Sequence, residues 1–401
     1  MRSQKVDQRA ARVIHRAMIL NELRRHGPLS RTQLAQRTQL STAAVSFVTA
    51  DLIAEALLVE QSQQASRGRA VPLDVNYAGH FAVGLKVMET RLEAVLTDLS
   101  LRTLAGTTVE YADHTPQSVT AAAARATDDL LAQAGLGRGR LGGVGLGLAG
   151  NIDPRSGLCM SSFRLGWRNV PITALISEAT GVPVWADNDV NAFATAERLM
   201  GRGKHARDFL VVTVGRGIGS GLVLGGELYR GGRGGAGELG HLLSEPGGRL
   251  CECGKRGCLE AYASEPSLAQ RLAESGVGLH GPADFAALVA DGDPRALALV
   301  AEAGERLGRA LAQAANLLDP ELIIVGGEGV RLGEPLFAPM RGALYAHLHA
   351  PEPRRLPLLV EPWGDDAWAC GAAGLVVEQF FGDHEQGPPA RAAPPALAGP
   401  M

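Results

Sequence analysis

Four side chains that can bind a metal ion lie within one short stretch of the sequence. His241, Cys251, Cys253 and Cys258 supply one imidazole and three thiolates. Ligands of this softness suit tetrahedral zinc, and a full set of four protein ligands is typical of a structural site. A thioredoxin-type redox site would need Cys-x-x-Cys, which is absent, and unrelated free thiols are seldom so dense. The spacing therefore predicts one structural Zn²⁺.

A second set of side chains could bind a polyol. Asn188 and Asp189 follow an apolar strand pattern and precede a predicted helix. A carboxylate at a strand end can accept hydrogen bonds from sugar hydroxyls or act as a general base on one of them. Glu238, His241 and Glu260 add further polar groups around the predicted metal loop. The alternative for Asp189 is a helix N-cap.

The first 76 residues predict a small domain of three helices and two strands. The predicted elements are a helix over 9–26, a short helix capped by Ser30 and running through Arg37, a third helix capped by Ser41, and strands over 57–63 and 71–75. The third helix has an apolar stripe formed by Val45, Val48, Leu52 and Ala56. This order is typical of a winged helix-turn-helix.

The predicted third helix and the tip between the two strands carry candidate DNA-binding residues. Small side chains let a helix enter a major groove, and arginines on a glycine hairpin can reach a minor groove or clamp phosphates. Residues 1–72 carry a net charge of +6 and the remainder −9, which favours DNA binding over a protein-binding module. The candidates are Ser41, Thr42, Ala43, Ser46, Thr49, Arg67, Gly68 and Arg69.

The rest of the 401-residue chain predicts two similar α/β lobes. Three strands over about 81–111, a helix over 117–134 and a strand over 141–150 form a pattern that recurs from residue 208. We expect a DNA-binding domain over 1–76 and a disordered tail over 383–401. The expected lobes cover 77–196, completed by a helix at about 366–382, and 197–365.

The composition predicts a cytoplasmic protein. No apolar run reaches the about 18 residues that span a bilayer, and the first residues lack the apolar core of a signal peptide. Five cysteines, an odd number, argue against a disulfide framework.

Three motifs carry a family resemblance over residues 10–380. They are "VPVWADNDVNAFATAE" (182–197), "VTVGRGIGSGLVLGGELYRGGRGGAGELGH" (212–241) and "GELGHLLSEPGGRLCECGKRGCLEAYAS" (237–264). The chain resembles the ROK family of repressors and sugar kinases, in its transcriptional-regulator branch. The resemblance implies a two-lobed actin/hexokinase-like (ribonuclease H-like) body behind an N-terminal winged helix.

The resemblance also implies roles for single residues. All four predicted metal ligands match the family's zinc site, and Asp189 matches the catalytic base of the kinases. Asn188, Asp189, Glu238, His241 and Glu260 match the family's sugar-binding positions. Arg164 departs from the family, which often has a sugar-binding Asn there, so a phosphate or acid group on the ligand is an open alternative.

One nucleotide-binding turn departs from the kinase pattern. ROK kinases have Asp-x-Gly-Gly-Thr there, whereas this chain has Lys86, Met88 and Glu89 in place of the Asp and the two glycines. Kinase activity needs a backbone cradle for phosphates and a metal, so we expect no enzyme activity.

We therefore expect a sugar-responsive repressor of carbohydrate-metabolism genes, with its effector in the cleft between the lobes. The expected partners are a palindromic DNA operator, a sugar or sugar derivative, and a second copy of the chain in a homodimer or homotetramer. The alternatives are an ATP-dependent sugar kinase with a fused DNA-binding module and a scaffold with a vestigial pocket.

Overall fold

The computed structural model of the chain describes residues 8–61, 71–279, 281–349, 356–361 and 366–382. These residues form two compact units, which divide the chain into Met1–Met200 with Trp368–Met401, and Gly201–Ala367. Among the described helices, none has the length and apolar character needed to cross a membrane. The predicted disordered tail, 383–401, lies outside the described residues.

The N-terminal segment has the predicted order of three helices and two strands. They are α1 (Gln8–His26), α2 (Arg31–Thr38), α3 (Thr42–Ala54), β1 (Leu58–Glu60) and β2 (Leu73–Val75). β1 pairs antiparallel with β2.

Side-chain caps fix where the second and third helices begin. Ser30 and Gln33 form a capping box at the start of α2, and Ser41 accepts the Ala44 N–H at the start of α3. The predicted apolar stripe of α3 is buried at Val45, Val48 and Leu52. The prediction that Ala56 is its fourth member was wrong. α3 ends two residues earlier, and Ala56 is exposed with φ +58°.

The first unit contains a five-stranded sheet in the order β10-β6-β3-β4-β5. Its strands are β3 (Phe81–Val87), β4 (Arg91–Asp98), β5 (Thr103–Glu110), β6 (Leu141–Leu148) and β10 (Val184–Asn188). A smaller sheet contains β7 (Asn151–Asp153), β8 (Leu158–Ser162) and β9 (Trp167–Val170). The helices among these strands are α4 (Pro116–Ala134), α5 (Ile172–Thr180) and α6 (Asp189–Leu199).

The second unit has a sheet of the same design, in the order β13-β12-β11-β14-β15. Its strands are β11 (Phe209–Val214), β12 (Ile218–Leu224), β13 (Glu227–Tyr229), β14 (Leu322–Gly326) and β15 (Leu358–Val360). Its helices are α7 (Glu260–Ala263), α8 (Glu265–Glu274), α9 (Pro282–Ala290), α10 (Pro294–Leu318) and α11 (Glu334–His347). Both sheets have three antiparallel strands followed by two parallel ones, which confirms the predicted duplication.

The last helix, α12 (Ala367–Phe381), returns to the first unit and packs closely against its sheet. A Cβ at Gly84 of β3 would lie 1.9 Å from the Ala369 carbonyl oxygen, and one at Gly145 of β6 would lie 1.8 Å from that of Ala372. Because side chains alternate along a strand, Lys86 faces the same side of β3 as Gly84. The glycines therefore bring α12 next to the lysine.

Candidate functional site

The four predicted metal ligands lie together in the second unit. The ligand atoms of His241, Cys251, Cys253 and Cys258 all lie within 4.8 Å of one another. Two distances are diagnostic: 3.7 Å from Cys253 Sγ to Cys258 Sγ, and 3.7 Å from His241 Nδ1 to Cys251 Sγ. Tetrahedral zinc with Zn–S bonds of about 2.3 Å would separate two sulfurs by about 3.8 Å. The cluster has the dimensions of a four-coordinate metal site.

Two glycine turns bring these ligands together. Gly254 has φ +85° and Gly257 has φ +83°, conformations that other residues rarely adopt. A Cβ at Gly257 would also lie 1.8 Å from the Glu245 carbonyl oxygen. The Cys251 amide donates to the Lys255 carbonyl at 2.8 Å, which closes the loop between the second and fourth ligands.

The cysteines differ in how readily they ionise. Burial raises the pKa of Cys251 to about 12 and also raises the pKa of Cys258. Burial acts in the same direction at Cys253, but hydrogen bonds from the Lys255 amide and the neighbouring thiols lower its pKa overall. A metal binds thiolates, so the positive charge of a bound cation would favour ionisation of Cys251 and Cys258, whose pKa values are raised.

Two carboxylates lie next to this cluster. His241 Nε2, on the side of the ring away from Cys251, lies 3.8 Å from Glu238 Oε2. Glu260 Oε2 accepts the Ile218 amide at 2.9 Å, and its Oε1 lies 3.9 Å from Cys251 Sγ. His241 can thus bind a metal through Nδ1 and interact with a carboxylate through Nε2.

In the first unit, Asp189 forms an ion pair with Lys86 rather than lying free in solvent. The Lys86 ammonium donates to Asp189 Oδ2, and both residues are at least nine-tenths buried. The same ammonium lies 4.5 Å from the centroid of the Trp368 ring, at the start of α12. Lys86, predicted to replace the kinase Asp, is therefore the partner of Asp189, predicted to correspond to the kinase base.

Asn188, not Asp189, caps helix α6. Its Oδ1 accepts the amides of Val190 and Asn191, and its Nδ2 donates to the Gly150 carbonyl at 3.3 Å. The N-cap alternative for Asp189 was therefore wrong. Because Asn188 Oδ1 already accepts two hydrogen bonds, the side chain can offer a ligand only the second N–H of Nδ2.

The turn between β3 and β4 is closed by a tyrosine. The Tyr111 hydroxyl shares its single proton between the carbonyl oxygens of Met88 and Arg91, and the Met88 amide donates to the Arg91 carbonyl at 3.0 Å. Burial raises the pKa of Tyr111 to about 12, so the hydroxyl remains protonated at neutral pH. This turn is an ordinary hairpin that carries Glu89 and lacks a glycine cradle.

A glycine turn between β11 and β12, which contains Gly215 and Gly217, also has a carboxylate against it. A Cβ at Gly215 would lie 2.0 Å from Glu328 Oε2. Arg216 in the same turn pairs with Glu252 at 3.0 Å. A phosphate at this turn would meet the negative charge of Glu328.

Helix α3 presents most of the predicted DNA-binding residues to solvent. Thr42, Ala43 and Ser46 are exposed, as is the cap residue Ser41. The prediction for Thr49 was wrong: its side chain is fully buried and accepts a hydrogen bond from Arg31 at 3.2 Å. The predicted tip residues Arg67, Gly68 and Arg69 lie outside the described residues.

An aromatic residue on the exposed face of α3 was missed. Phe47 is 60 % exposed, and the Arg12 guanidinium lies 5.3 Å from its ring centroid. Arg12 also pairs with Asp51 at 2.5 Å. The signal in the sequence was the spacing: Phe47 follows exposed Ala43 by four residues, one helical turn.

Comparisons with known proteins identify the family. A model of the ROK family matches residues 82–379, and the chain belongs to that family. The xylose repressor of Bacillus subtilis (strain 168) is 27% identical over 377 residues, which cover 94% of this chain and 98% of the repressor.

Two solved structures extend this comparison. A ROK family transcriptional regulator, a homologue of the E. coli MLC protein, has a TM-score of 0.82 and 27% identity, covering 93% of this chain and 97% of the other. A ROK family glucokinase from Streptomyces griseus, in complex with glucose and AMPPNP, has a TM-score of 0.64 and 30% identity. It covers 74% of this chain and 98% of its own, so the regulator matches more of the sequence.

Proposed function

We propose that the chain is a sugar-responsive transcriptional repressor of carbohydrate-metabolism genes. Its effector would be a sugar or sugar derivative, and its DNA-binding module would be the winged helix of α1–α3, β1 and β2. The regulators described above match the chain over nearly its whole length, N-terminal module included.

The Lys86–Asp189 ion pair is the observation that carries this proposal. A general base must accept a proton from the hydroxyl that attacks, with its lone pairs aimed at that hydroxyl. In this chain the Lys86 ammonium occupies Asp189 Oδ2. The carboxylate can still accept a hydrogen bond from a sugar, but the lysine holds one of its oxygens, which suits binding more than catalysis.

Carboxylates in or against two turns, the β3–β4 turn and the β11–β12 turn that keeps Gly215 and Gly217, support the same conclusion. Glu89 lies in the first turn and Glu328 lies against the second. Two unit charges about 4–6 Å apart repel by roughly 3–4 kcal/mol at an effective dielectric near 20, which would weaken phosphate binding several hundred-fold. The sugar half of a kinase site is thus retained without its nucleotide half.

Zinc is the metal that best fits the ligand cluster. Three thiolates and one imidazole suit tetrahedral Zn²⁺, and four protein ligands leave no open position for catalysis. The ion would fix the loop that presents Glu238, His241 and Glu260. These side chains, with Asn188 and Asp189, are the proposed sugar-binding set.

The DNA partner would be a palindromic operator bound by a homodimer or homotetramer. Exposed small residues on α3 allow close approach to a major groove, and two copies related by a twofold axis would match two half-sites. The predicted wing residues Arg67 and Arg69 would add phosphate or minor-groove contacts.

A panel of sugars and one DNA library test the proposal. D-xylose, D-glucose, their uronic acids and glucose 6-phosphate are screened for thermal stabilisation of the full chain, since Arg164 leaves an anionic ligand open. The DNA sequence is selected from random duplexes. We expect a stabilising sugar to change the Kd for that duplex at least tenfold; stabilisation without any effect on DNA binding would contradict the proposal.

The competing function is an ATP-dependent sugar kinase. Its support is the intact Asp189, with the 98% coverage of the Streptomyces griseus glucokinase. Each stabilising sugar is therefore incubated with ATP and Mg²⁺ and assayed for ADP. We expect no sugar-dependent ADP above the no-enzyme control, and robust turnover would favour the kinase.

Phe47 provides a test of the DNA-binding surface. An exposed aromatic on a recognition helix can contact a thymine methyl group. We expect Phe47→Ala to weaken binding to the selected duplex about tenfold, the scale of one lost base contact. Phe163→Ala is the matched control, because Phe163 is 76 % exposed and lies outside the DNA-binding module. Equal Kd values for Phe47→Ala and the wild type would remove Phe47 from the interface.

A further inference from the structure

Two helices of the first unit begin at the Lys86–Asp189 pair. α6 starts with Asp189 itself, and α12 carries Trp368 in its first turn, with the Lys86 ammonium 4.5 Å from the ring centroid. The Trp368 ring also lies edge-on to Phe193 of α6, with 6.5 Å between centroids. One buried cation thus contacts the first turns of both helices.

The two helices are packed so closely that they would move together. A Cβ at Gly371 of α12 would lie 2.9 Å from the Phe193 Cα, and one at Gly374 would lie 3.1 Å from the Ala196 Cβ. Arg198 of α6 also pairs with Glu378 of α12. Such dense packing transmits displacement rather than absorbing it.

Both helices end on α1 of the DNA-binding module. The Arg24 guanidinium donates to the carbonyl of Leu199, the last residue of α6. Asn21 Nδ2 donates to the carbonyl of Phe381, the last residue of α12, at 2.7 Å. Arg24 Nε donates in turn to Asn21 Oδ1 at 3.0 Å, so one side-chain pair holds two helix ends.

In the side-chain pair Asn21–Arg24, called the α1 clamp below, the arginine is more buried than most arginines and Asn21 is partly buried. Arg24 is only 7 % exposed, and burial lowers its pKa to about 10, which still leaves it charged at neutral pH. A cation at a helix C-terminus interacts favourably with the carbonyl end of the helix dipole. The buried arginine therefore has a defined electrostatic role at the end of α6.

The apolar core around the clamp is continuous across the junction. Buried residues of α1 and α3 share one cluster with Leu199 and with Val376, Val377 and Phe381 of α12. His80 adds a polar connection, since its ring lies 5.2 Å from that of Phe380 and its Nε2 lies 2.9 Å from the Glu55 carbonyl oxygen at the end of α3. Displacement of the C-terminal ends of α6 and α12 would therefore reach α3, the proposed DNA-reading helix.

We propose that the α1 clamp couples the state of Asp189 to the position of the DNA-reading helix, through α6 and α12. The inference rests on the proposed function, because it assumes that a sugar binds at Asp189. A sugar hydroxyl that competes with Lys86 for Asp189 Oδ2 would shift the lysine against Trp368. The helices would carry that shift to Asn21 and Arg24.

The test compares coupling with binding. The Kd for the selected duplex is measured with and without the panel sugar that stabilises the wild type most, for the wild type, Arg24→Met and Asn21→Ala. We expect the at least tenfold sugar effect of the wild type to fall below twofold in both variants. Sugar affinity, measured by calorimetry without DNA, should weaken less than threefold, and binding to DNA without sugar should be retained.

Arg25→Met is the matched control. Arg25 is the exposed neighbour of Arg24 on α1, so the variant removes the same charge without touching either helix end. It should keep the full sugar effect. Asn21→Ala keeps the test decisive if Arg24→Met does not fold, because it removes the hydrogen bonds to Phe381 and Arg24 and no charge.

The two proposals fail in different ways. A wild-type protein whose DNA affinity ignores every panel sugar contradicts the proposed function. A wild type that responds, with Arg24→Met and Asn21→Ala responding equally well, contradicts the role of the α1 clamp alone.

Discussion

Lys86→Met should destabilise the first unit by about 3–5 kcal/mol, because it leaves the Asp189 carboxylate buried without its partner. Asp189 is 9 % exposed, so little water can solvate the carboxylate once the ammonium is lost. Three of the four tryptophans, Trp167, Trp185 and Trp368, belong to this unit, so the urea midpoint by tryptophan fluorescence reports it.

The double variant Lys86→Met/Asp189→Asn separates charge from packing. It removes both charges while keeping similar volumes, and we expect it to recover to within about 1.5 kcal/mol of the wild type. Lys204→Met removes the same charge from the second unit and should leave the midpoint unchanged. A single variant Lys86→Met within 0.5 kcal/mol of the wild type, roughly the range of an ordinary surface substitution, would contradict a buried ion pair.

Cys258→Ser should abolish stoichiometric zinc binding and destabilise the second unit. Serine is a poor zinc ligand at neutral pH, and the remaining three ligands would form an incomplete tetrahedron. A metal at a free concentration 1,000-fold above its Kd stabilises the folded state by about 4 kcal/mol, and this contribution would be lost. Elemental analysis of the purified full chain should fall from one zinc per chain to near zero.

Cys370→Ser is the control for the zinc experiment. Cys370 lies in the first unit, outside the ligand cluster, and its Sγ lies 3.2 Å from Thr103 Oγ1, so a hydroxyl is tolerated there. This variant should keep one zinc per chain. Full zinc occupancy in Cys258→Ser would contradict the assignment of the ligands, and loss of zinc without any change in calorimetric stability would contradict a structural role.

Local patterns predicted most of the fold. The recurring order of strands, helix and strand predicted both sheets, whose central strands β3 and β11 are mostly apolar and buried along their whole length. The caps Ser30 and Ser41 were likewise local signals. The cysteine spacing predicted a cluster whose ligand atoms do lie together.

The errors concern residues whose burial or pairing depends on distant parts of the chain. Thr49 follows Thr42 by seven residues, about two helical turns, so it was predicted on the same exposed face. In the structure it is buried and accepts a hydrogen bond from Arg31 of α2. Lys86 and Asp189 are 103 positions apart, so no local pattern could pair them. The sequence identified Lys86 only as the replacement of an Asp in a phosphate-binding turn. The structure pairs it with Asp189.

The most direct test of the repressor assignment is one titration of the wild-type chain. The Kd for the selected duplex is measured against the concentration of the stabilising panel sugar, and the same mixtures are assayed for ADP after addition of ATP and Mg²⁺. We expect at least a tenfold change in DNA affinity, equivalent to about 1.4 kcal/mol of coupling, with no sugar-dependent ADP. Unchanged DNA affinity together with sugar-dependent ATP turnover would contradict the repressor assignment.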